Sequence, residues 1–302
     1  MSKQAYYKHD FEADLRCAAY EEFALQFVRE TREQDPGIGS VKLWEMYRRE
    51  FGKDAHIGRD RFCELIARNG LKLRQRPRRP RTTDSRHNRP LYPNIIKNTI
   101  PTGMGEIIVG DITYLPLEPD GERDGERKFC YVSLVMDSYS KLVLGASVGP
   151  TLESRYPIEA LEQAIQALEQ RGIDLTHTIH HTDRGVQYAS AEYTQKLIQK
   201  SIKISMTESG NPKDNSEAER LNNTLKNELF KDMHFHSIDQ VRAALAKALR
   251  FYNNDRPHLS LNKLTPIAAS RHHGRFKRDW NSYRERALDL QAAEKAAEKL
   301  PE

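Results

Sequence analysis

The stretch "EIIVGDITYLPL", residues 106–117, decides the fold class. Its β-branched and apolar residues predict a strand, and Asp111 interrupts the apolar run. The segments 128–137 ("KFCYVSLVMD") and 141–149 ("KLVLGASVG") follow after turns, which predicts an antiparallel meander of three strands. A buried carboxylate is costly unless it is paired, hydrogen-bonded or bound to a metal, so Asp111 is either a metal ligand or a solvent-facing residue at a strand edge.

The chain after the meander alternates between helical and strand patterns. Apolar spacing predicts helices over 155–170, 190–201, 215–229 and 237–254, and strands over 175–181 and 202–206. Three antiparallel strands followed by alternating elements predict an α/β fold, a mixed five-stranded sheet with helices on both faces. We assign residues 104–270 to this unit and residues 271–302 to a charged helical tail.

Three predicted helices and a basic segment precede the sheet. The helices cover 11–34, 40–52 and 59–70, and Ser40 is a candidate N-cap. Residues 1–70 therefore form either a helix-turn-helix-like DNA-binding module or another small helical bundle. Residues 71–103 are assigned to a Pro/Arg-rich linker, within which 71–90 hold eight Lys or Arg and one acid. This basic run is either a polyanion contact or a solvated linker.

Composition narrows the class of protein. The net charge is +5, and residues 1–105 hold 21 basic against 14 acidic residues, while the remainder holds 27 against 29. The three cysteines form no CxxC pair, which argues against a disulfide framework and a cysteine zinc site. No signal peptide or membrane-spanning run is predicted, so we expect a cytoplasmic protein with no membrane partner.

A second acid lies in "HHTDRGVQYAS", residues 180–190, where Asp183 ends the fourth predicted strand. Ligand sites of open α/β sheets gather at such strand ends, so Asp111 and Asp183 converge if their strands are neighbours. A third acid is expected from a helix, and the candidates are Glu208, Glu217, Glu219 and Glu228. One helix face carries Glu219, Asn222, Asn223 and Lys226, and Glu217 points about 200° away from Glu219.

These acids and three further motifs carry a family resemblance. Asp111 in "GDITYL", Asp183, and Glu219 in "NPKDNSEAERLNNTLKNE" resemble the DDE triad of the integrase and transposase superfamily, with 35 residues between the last two. "YNNDRPHLSLNKLTP" (252–266), "SKQAYYK" (2–8) and "YPNIIKNTIPT" (92–102) are similar to motifs of the insertion-sequence-three family, specifically its OrfB product.

The resemblance implies an RNase H-like fold around two Mg²⁺ ions, with Mn²⁺ as an alternative. Asp111 would bridge both ions, and Asp183 and Glu219 would each hold one. The implied activity is cleavage at element ends and strand transfer, on double-stranded DNA, by a homo-oligomer with or without an OrfA partner at the bacterial nucleoid. The alternatives are a non-catalytic DNA-binding regulator of the same fold and a nuclease acting on RNA–DNA hybrids.

Further residues are candidates for DNA contact. They are the arm residues Arg74, Arg76, Arg78, Arg79 and Arg81, together with Lys226, Arg256 and His258. Arg256 and His258 have packing against the core as their alternative. Gln187 and Tyr188 either line a DNA channel or lie at a helix start. His177, His180 and His181 fit no common zinc spacing, and a structural role is favoured for them.

Overall fold

A computed structural model describes residues 11–73, 88–97, 99–118, 128–208 and 215–276, together with residues 288 and 290. The predicted arm residues Arg74 to Arg81, the segment 209–214 and nearly all of the predicted tail lie outside these ranges. Within the described residues, no helix combines the length and the apolar character needed to cross a membrane.

The centre of the fold is a five-stranded mixed sheet with the strand order β3-β2-β1-β4-β5. Its strands are β1 (Ile107–Leu117), β2 (Lys128–Asp137), β3 (Val143–Gly149), β4 (Ile179–Thr182) and β5 (Lys203–Met206). The meander pairs are antiparallel, whereas β1 pairs with β4, and β4 with β5, in parallel. The predicted mixed five-stranded sheet and the predicted adjacency of β1 and β4 are therefore confirmed.

Eight α-helices occur in the described part of the chain. They are α1 (Phe11–Gln34), α2 (Ser40–Phe51), α3 (Arg59–Arg68), α4 (Arg155–Glu169), α5 (Ala191–Gln199), α6 (Ser216–Thr224), α7 (Ile238–Asn254) and α8 (Pro266–Ala269). Two of the predicted elements differ from those in the structure. Residues Leu175–His177 form a 3-10 turn rather than the start of β4, and α6 continues as a π-helical turn over Leu225–Leu229.

The two sheet faces bury two separate cores, because alternate residues of β1 point to opposite sides. Ile107 and Val109 pack in one core together with residues of α6, α7 and the N-terminal helices. Ile108 packs in the other core, with residues of α4 and α5. Gly145 lets α4 approach β3 closely, since a Cβ there would lie 1.9 Å from the carbonyl oxygen of Ala160.

The N-terminal helices pack around aromatic side chains and share the first core with the sheet. Tyr47 is buried between rings of α1 and α3, with its ring centroid 5.4 Å from that of Phe27 and 5.2 Å from that of Phe62. The prediction that Ser40 caps α2 is wrong, because Gly39 holds the cap position and no side chain caps this helix.

The end of the predicted linker is packed rather than solvated. Ile96 is 2% exposed, and the amide of Met206 at the end of β5 donates to the carbonyl of Pro93 at 3.4 Å. The amide of Ile95 donates to Ser205 Oγ at 3.1 Å. The linker assignment is therefore wrong for residues 93–97, because apolar burial and these hydrogen bonds hold them against the sheet edge.

Candidate active site

The parallel pairing of β1 and β4 brings Asp111 and Asp183 together. Ile107 is paired with Ile179 and Val109 with His181, and the same register continued by two residues sets Asp111 beside Asp183. Neighbouring strands lie about 4.8 Å apart, so the two carboxylates start from adjacent backbone positions at one end of the sheet.

The residue before Asp111 must be small. A Cβ at Gly110 would lie 3.0 Å from Cε1 of His180, which is fully buried on the neighbouring strand. Gly110 thus allows β1 to pass His180 just before the first acid.

Tyr188 lies near both Asp111 and Asp183. Burial raises the pKa of its hydroxyl, and the charges of Asp111 and Asp183 both raise it further. Both carboxylates therefore act electrostatically on the same side chain. Tyr188 is only 3% exposed, so the predicted role in lining a DNA channel is wrong for this residue.

The Asp111 carboxylate is oriented by two hydrogen bonds. Its Oδ1 accepts from the amide of Ile112 at 2.9 Å, and its Oδ2 accepts from Asn222 Nδ2 at 2.6 Å. Each carboxylate oxygen has two lone pairs, so both oxygens keep acceptor capacity after these bonds. The amide side chain from α6 holds the acid in place without removing its ability to coordinate.

A tight turn orients Asp183. Its Oδ1 accepts from the amide of Gly185 at 2.9 Å, and Arg184 Nε donates to the carbonyl of Thr207 at 2.6 Å. Arg184 and Gly185 therefore form the turn after β4. They fix the second carboxylate at the strand end.

The two glutamates near the start of α6 have different surroundings. Glu217 Oε2 accepts from Ser138 Oγ at 2.6 Å and pairs with Lys141 Nζ at 3.1 Å, so it is committed to the turn between β2 and β3. Glu219 is half-buried, three residues before Asn222, which contacts Asp111. Helical spacing therefore puts Glu219 on the face directed at the first acid.

Asn215 ties the start of α6 to β1. It occupies the N-cap position, but its side chain makes no capping bond and instead donates to the carbonyl of Gly110 at 3.1 Å. From the sequence, Asn215 is either a cap of α6 or part of a loop over the site, and its bond to β1 is not predicted. No local signal could reveal a partner 105 positions away.

The donor chemistry of this site fits a hard divalent cation. Three carboxylates, two from adjacent strands and one from the facing helix, are the oxygen ligands that Mg²⁺ prefers. Across the ranges that the structure describes, no three His, Cys, Asp or Glu side chains already form a closed metal cluster. The carboxylate chemistry, rather than a preformed cage, therefore carries the fit.

Sequence comparisons identify the family. Two integrase core domain models match residues 101–212 and 200–266. A putative transposase for insertion sequence element IS986/IS6110 of Mycobacterium tuberculosis is 30% identical over 232 residues, 76% of this chain and 80% of the relative. Transposase InsF for insertion sequence IS3A of Escherichia coli is 28% identical over 203 residues, 67% of this chain and 66% of the relative. The chain belongs to the IS3-type insertion-sequence transposases.

Solved structures were also compared with this transposase. The HTLV-2 integrase catalytic core domain in complex with magnesium aligns with a TM-score of 0.39 and 20% identity, over 57% of this chain and 99% of that one. The Mos1 mariner transposase catalytic domain aligns with a TM-score of 0.40 and 13% identity, over 48% of this chain and 70% of that one. The family assignment rests on the sequence relatives, and the predicted RNase H-like fold class agrees with it.

The histidines of the transposase next to the second acid are structural, as predicted. His180 Nε2 lies 2.7 Å from the Tyr193 hydroxyl and His181 Nδ1 lies 2.9 Å from Ser205 Oγ. Burial lowers the pKa of His180 to about 3, so its ring stays neutral. Neither histidine is exposed to bind zinc or a substrate.

The predicted DNA contacts of the transposase have different outcomes. Lys226 is half-buried, with Nζ 4.4 Å from the centre of the Tyr114 ring, three residues beyond Asp111. Arg256 is 2% exposed and its Nη2 lies 2.6 Å from Glu228 Oε2, which contradicts a DNA contact because the guanidinium is buried in an ion pair.

His258 is likewise committed to the protein. Its Nδ1 lies 3.1 Å from Ser260 Oγ and its Nε2 lies 3.3 Å from the Tyr252 hydroxyl, so both ring nitrogens have internal partners. Burial lowers the pKa of His258 well below its usual value, which keeps the ring uncharged. A phosphate contact by His258 is contradicted for these reasons, and the alternative of packing against the core is favoured.

A cleft opens beside the loop that follows Asp183. It has a volume of about 360 Å³ and is lined by Arg89, Leu152, Glu153, Ser154, Arg155, Val186, Gln187 and Glu192. Gln187, one of the predicted channel residues, thus lies on an open surface four residues after the second acid. Two arginines and two glutamates line the cleft, and Arg155 Nε lies 3.2 Å from Glu153 Oε2.

Proposed function

We propose that this transposase cleaves phosphodiester bonds at the ends of its element and joins the freed 3′-hydroxyl to a target strand, with Asp111, Asp183 and Glu219 as metal ligands. The register of β1 and β4 is the observation that supports this proposal, because continuing it two residues beyond the pair of Val109 and His181 brings Asp111, within β1, level with Asp183, just after β4. Glu219 is supported by its place on the helix face that contacts Asp111.

Bound divalent ions supply activation of the attacking oxygen and stabilisation of the leaving oxygen in an in-line displacement at phosphorus. We propose two Mg²⁺ ions, with Mn²⁺ as a substitute and Asp111 as the shared ligand. The chain's own task is orientation. Asn222 fixes one Asp111 oxygen, Gly185 fixes one Asp183 oxygen, and the side-chain amide of Asn215, which donates to the carbonyl of Gly110, keeps α6 against β1.

Double-stranded DNA is the proposed partner. Residues 1–70 serve as the end-binding module, the basic part of the segment that follows, residues 71–90, leads to the catalytic unit at 104–270, and the arm arginines bind phosphates by releasing counterions. Lys226 and Arg89 are further candidates for phosphate contact. Synapsis of two ends calls for a homo-oligomer acting on nucleoid DNA, with OrfA as a further partner.

The test is cleavage of a labelled duplex that carries an element end, with Mg²⁺ or with EDTA. Wild-type protein and Asp183→Asn are compared at equal DNA occupancy. Nicking that requires Mg²⁺ and is lost in the variant supports the proposal. Tight binding without cleavage by wild type, in the presence and absence of added OrfA, refutes it and favours a regulator that only binds DNA.

The arm is tested by salt dependence. Replacing Arg76, Arg78 and Arg79 with glutamine is expected to reduce the slope of log K against log salt by about 0.9 for each lost phosphate contact. Exposed Arg171, Lys200 and Arg242, which lie outside the proposed end-binding module and arm, provide a triple-glutamine control of equal charge. An unchanged slope in the arm variant would identify the arm as a solvated linker.

A further inference from the structure

A cluster of four charged residues joins the N-terminal helices to the helix of the third acid. Lys42 Nζ lies 3.0 Å from Glu228 Oε2, and Arg256 Nη2 lies 2.6 Å from the same oxygen. Arg256 Nε is also 3.5 Å from Asp35 Oδ2. Asp35 and Lys42 come from the N-terminal unit, Glu228 from the π-helical turn, and Arg256 from the "YNNDRPH" motif.

Two members of the cluster, Asp35 and Arg256, are shielded from solvent. Asp35 is 0% exposed and Arg256 is 2% exposed. The side chains of Lys42 and Glu228 are 17% and 26% exposed. Two acids balance two bases, so the set is neutral only when all four are present. Removing one member leaves an uncompensated charge in a region of low dielectric.

A backbone hydrogen bond also joins the N-terminal helices to the π-helical turn. The amide of Gly37 donates to the carbonyl of Glu228 at 2.9 Å. A Cβ at Gly37 would lie 2.2 Å from the Cα of Glu228, so only glycine allows this approach. The turn between α1 and α2 therefore contacts the π-helical turn through a backbone hydrogen bond, in addition to the ion pairs of Glu228.

The π-helical turn at Leu225–Leu229 continues directly from α6. Glu219 and Asn222 lie on α6, and Glu228 follows nine residues after Glu219 in the same unbroken helical segment. A helix transmits a displacement of its end along its axis, since its hydrogen-bonded backbone moves as one body. The contacts of Gly37 and Lys42 with Glu228 thus act on the C-terminal end of the segment, and the Asn222–Asp111 hydrogen bond acts on its middle.

We propose that Lys42, Glu228 and Arg256 are positioning residues, through which the docked N-terminal helices set the placement of Glu219 against Asp111 and Asp183. This inference rests on the proposed role of Glu219. It gives the arginine of the terminal motif a function inside the protein. It also makes the N-terminal unit part of the machinery that orders the metal site, in addition to any contact with DNA.

The experiment compares Lys42→Met with Lys263→Met in the full chain. Both lysines pair with a glutamate across the boundary between the N-terminal helices and the remainder, but Lys263 pairs with Glu45 and does not touch the π-helical turn. Glu45 keeps Arg48 at 3.0 Å when Lys263 is replaced. Lys42→Arg serves as the conservative rescue.

Two quantities are measured. Amide hydrogen exchange of residues 216–229, with residues 128–137 as internal reference, is expected to rise about tenfold in Lys42→Met and to stay unchanged in Lys263→Met and Lys42→Arg. The Mn²⁺ concentration for half-maximal binding is expected to rise about tenfold in Lys42→Met alone, as for residues that orient metal ligands.

Exchange that rises equally in both segments, or equally in both methionine variants, would overturn the inference, because it would show a general loss of stability. An unchanged exchange of 216–229 in Lys42→Met would overturn it as well. Hydrogen exchange needs neither DNA nor turnover. Absence of cleavage by wild type would therefore count against the proposed function while leaving this test decisive.

Discussion

Exchanging Glu217 and Glu219 for glutamine, one at a time, separates a stabilising acid from a metal ligand on the same helix. The two residues are about 200° apart around the helix axis. Glu217 faces Ser138 and Lys141, whereas Glu219 shares the face of Asn222. The substitutions are chemically identical and nearly isosteric, so each variant is the matched control of the other.

For Glu217→Gln, we expect a loss of stability with little loss of activity. The Glu217 and Lys141 side chains are 29% and 11% exposed, between the extremes of surface and buried ion pairs. We therefore expect a cost of about 1–2 kcal/mol in free energy of unfolding. A domain stable by about 5–15 kcal/mol remains almost wholly folded after such a loss, so the cleavage rate should stay within about twofold of wild type.

For Glu219→Gln, the expected pattern is the reverse. Loss of a ligand that supports charge stabilisation of about 4 kcal/mol in the transition state slows cleavage about 1000-fold. Stability should change little, and DNA binding should persist. Urea unfolding and single-turnover cleavage of an end-bearing duplex measure the two effects. An inactive, stably folded Glu217→Gln beside an active Glu219→Gln would refute the assignment of the third acid.

Three further outcomes are expected. Asn222→Leu removes the donor to Asp111 while keeping side-chain size, so half-maximal cleavage should need about tenfold more Mg²⁺; an unchanged Mg²⁺ titration would show that the hydrogen bond does not orient the acid. Burial raises the pKa of Asp35 to about 6 from 3.8, so the folded state binds more protons between these values and wild-type stability falls as pH rises through that window. Relative to Asp35→Asn, this loss should amount to about 3 kcal/mol in urea unfolding between pH 4 and 7, and parallel pH profiles would contradict it. Gly145→Ala places a methyl group against the Ala160 carbonyl and should cost at least about 1–3 kcal/mol, seen as a lower Tm; an unchanged Tm would mean that α4 lies farther from β3.

Most helices and strands could be predicted, because the residue patterns that specify them lie within short stretches of sequence. Alternation and β-branching marked β1 and β2, and apolar spacing marked α1 and α4. The strand prediction over 175–181 was wrong at its start, where Asp174 accepts from the amide of Thr176 and favours a 3-10 turn. A single polar side chain decided that boundary, and apolar content alone does not show it.

Contacts between residues that are far apart in the chain could not be predicted from the sequence. Lys42 and Glu228 are 186 positions apart, and neither stands out locally from other surface charges. The family resemblance of its motif makes Arg256 a candidate for DNA contact, with packing against the core as the alternative. Its burial depends on Asp35 and Glu228 arriving from two other segments, which only the tertiary structure reveals.

The π-helical turn at Leu225–Leu229 takes up one extra residue between Glu219 and Glu228. A π turn holds about one residue more than an α turn, so the extra residue is absorbed within the turn and the chain beyond it keeps its direction. Deleting a residue from the α-helical part between Glu219 and this turn would instead rotate Glu219 by about 100° relative to Glu228. The number of residues between the two glutamates, as much as their identity, therefore sets whether both face their separate partners at once.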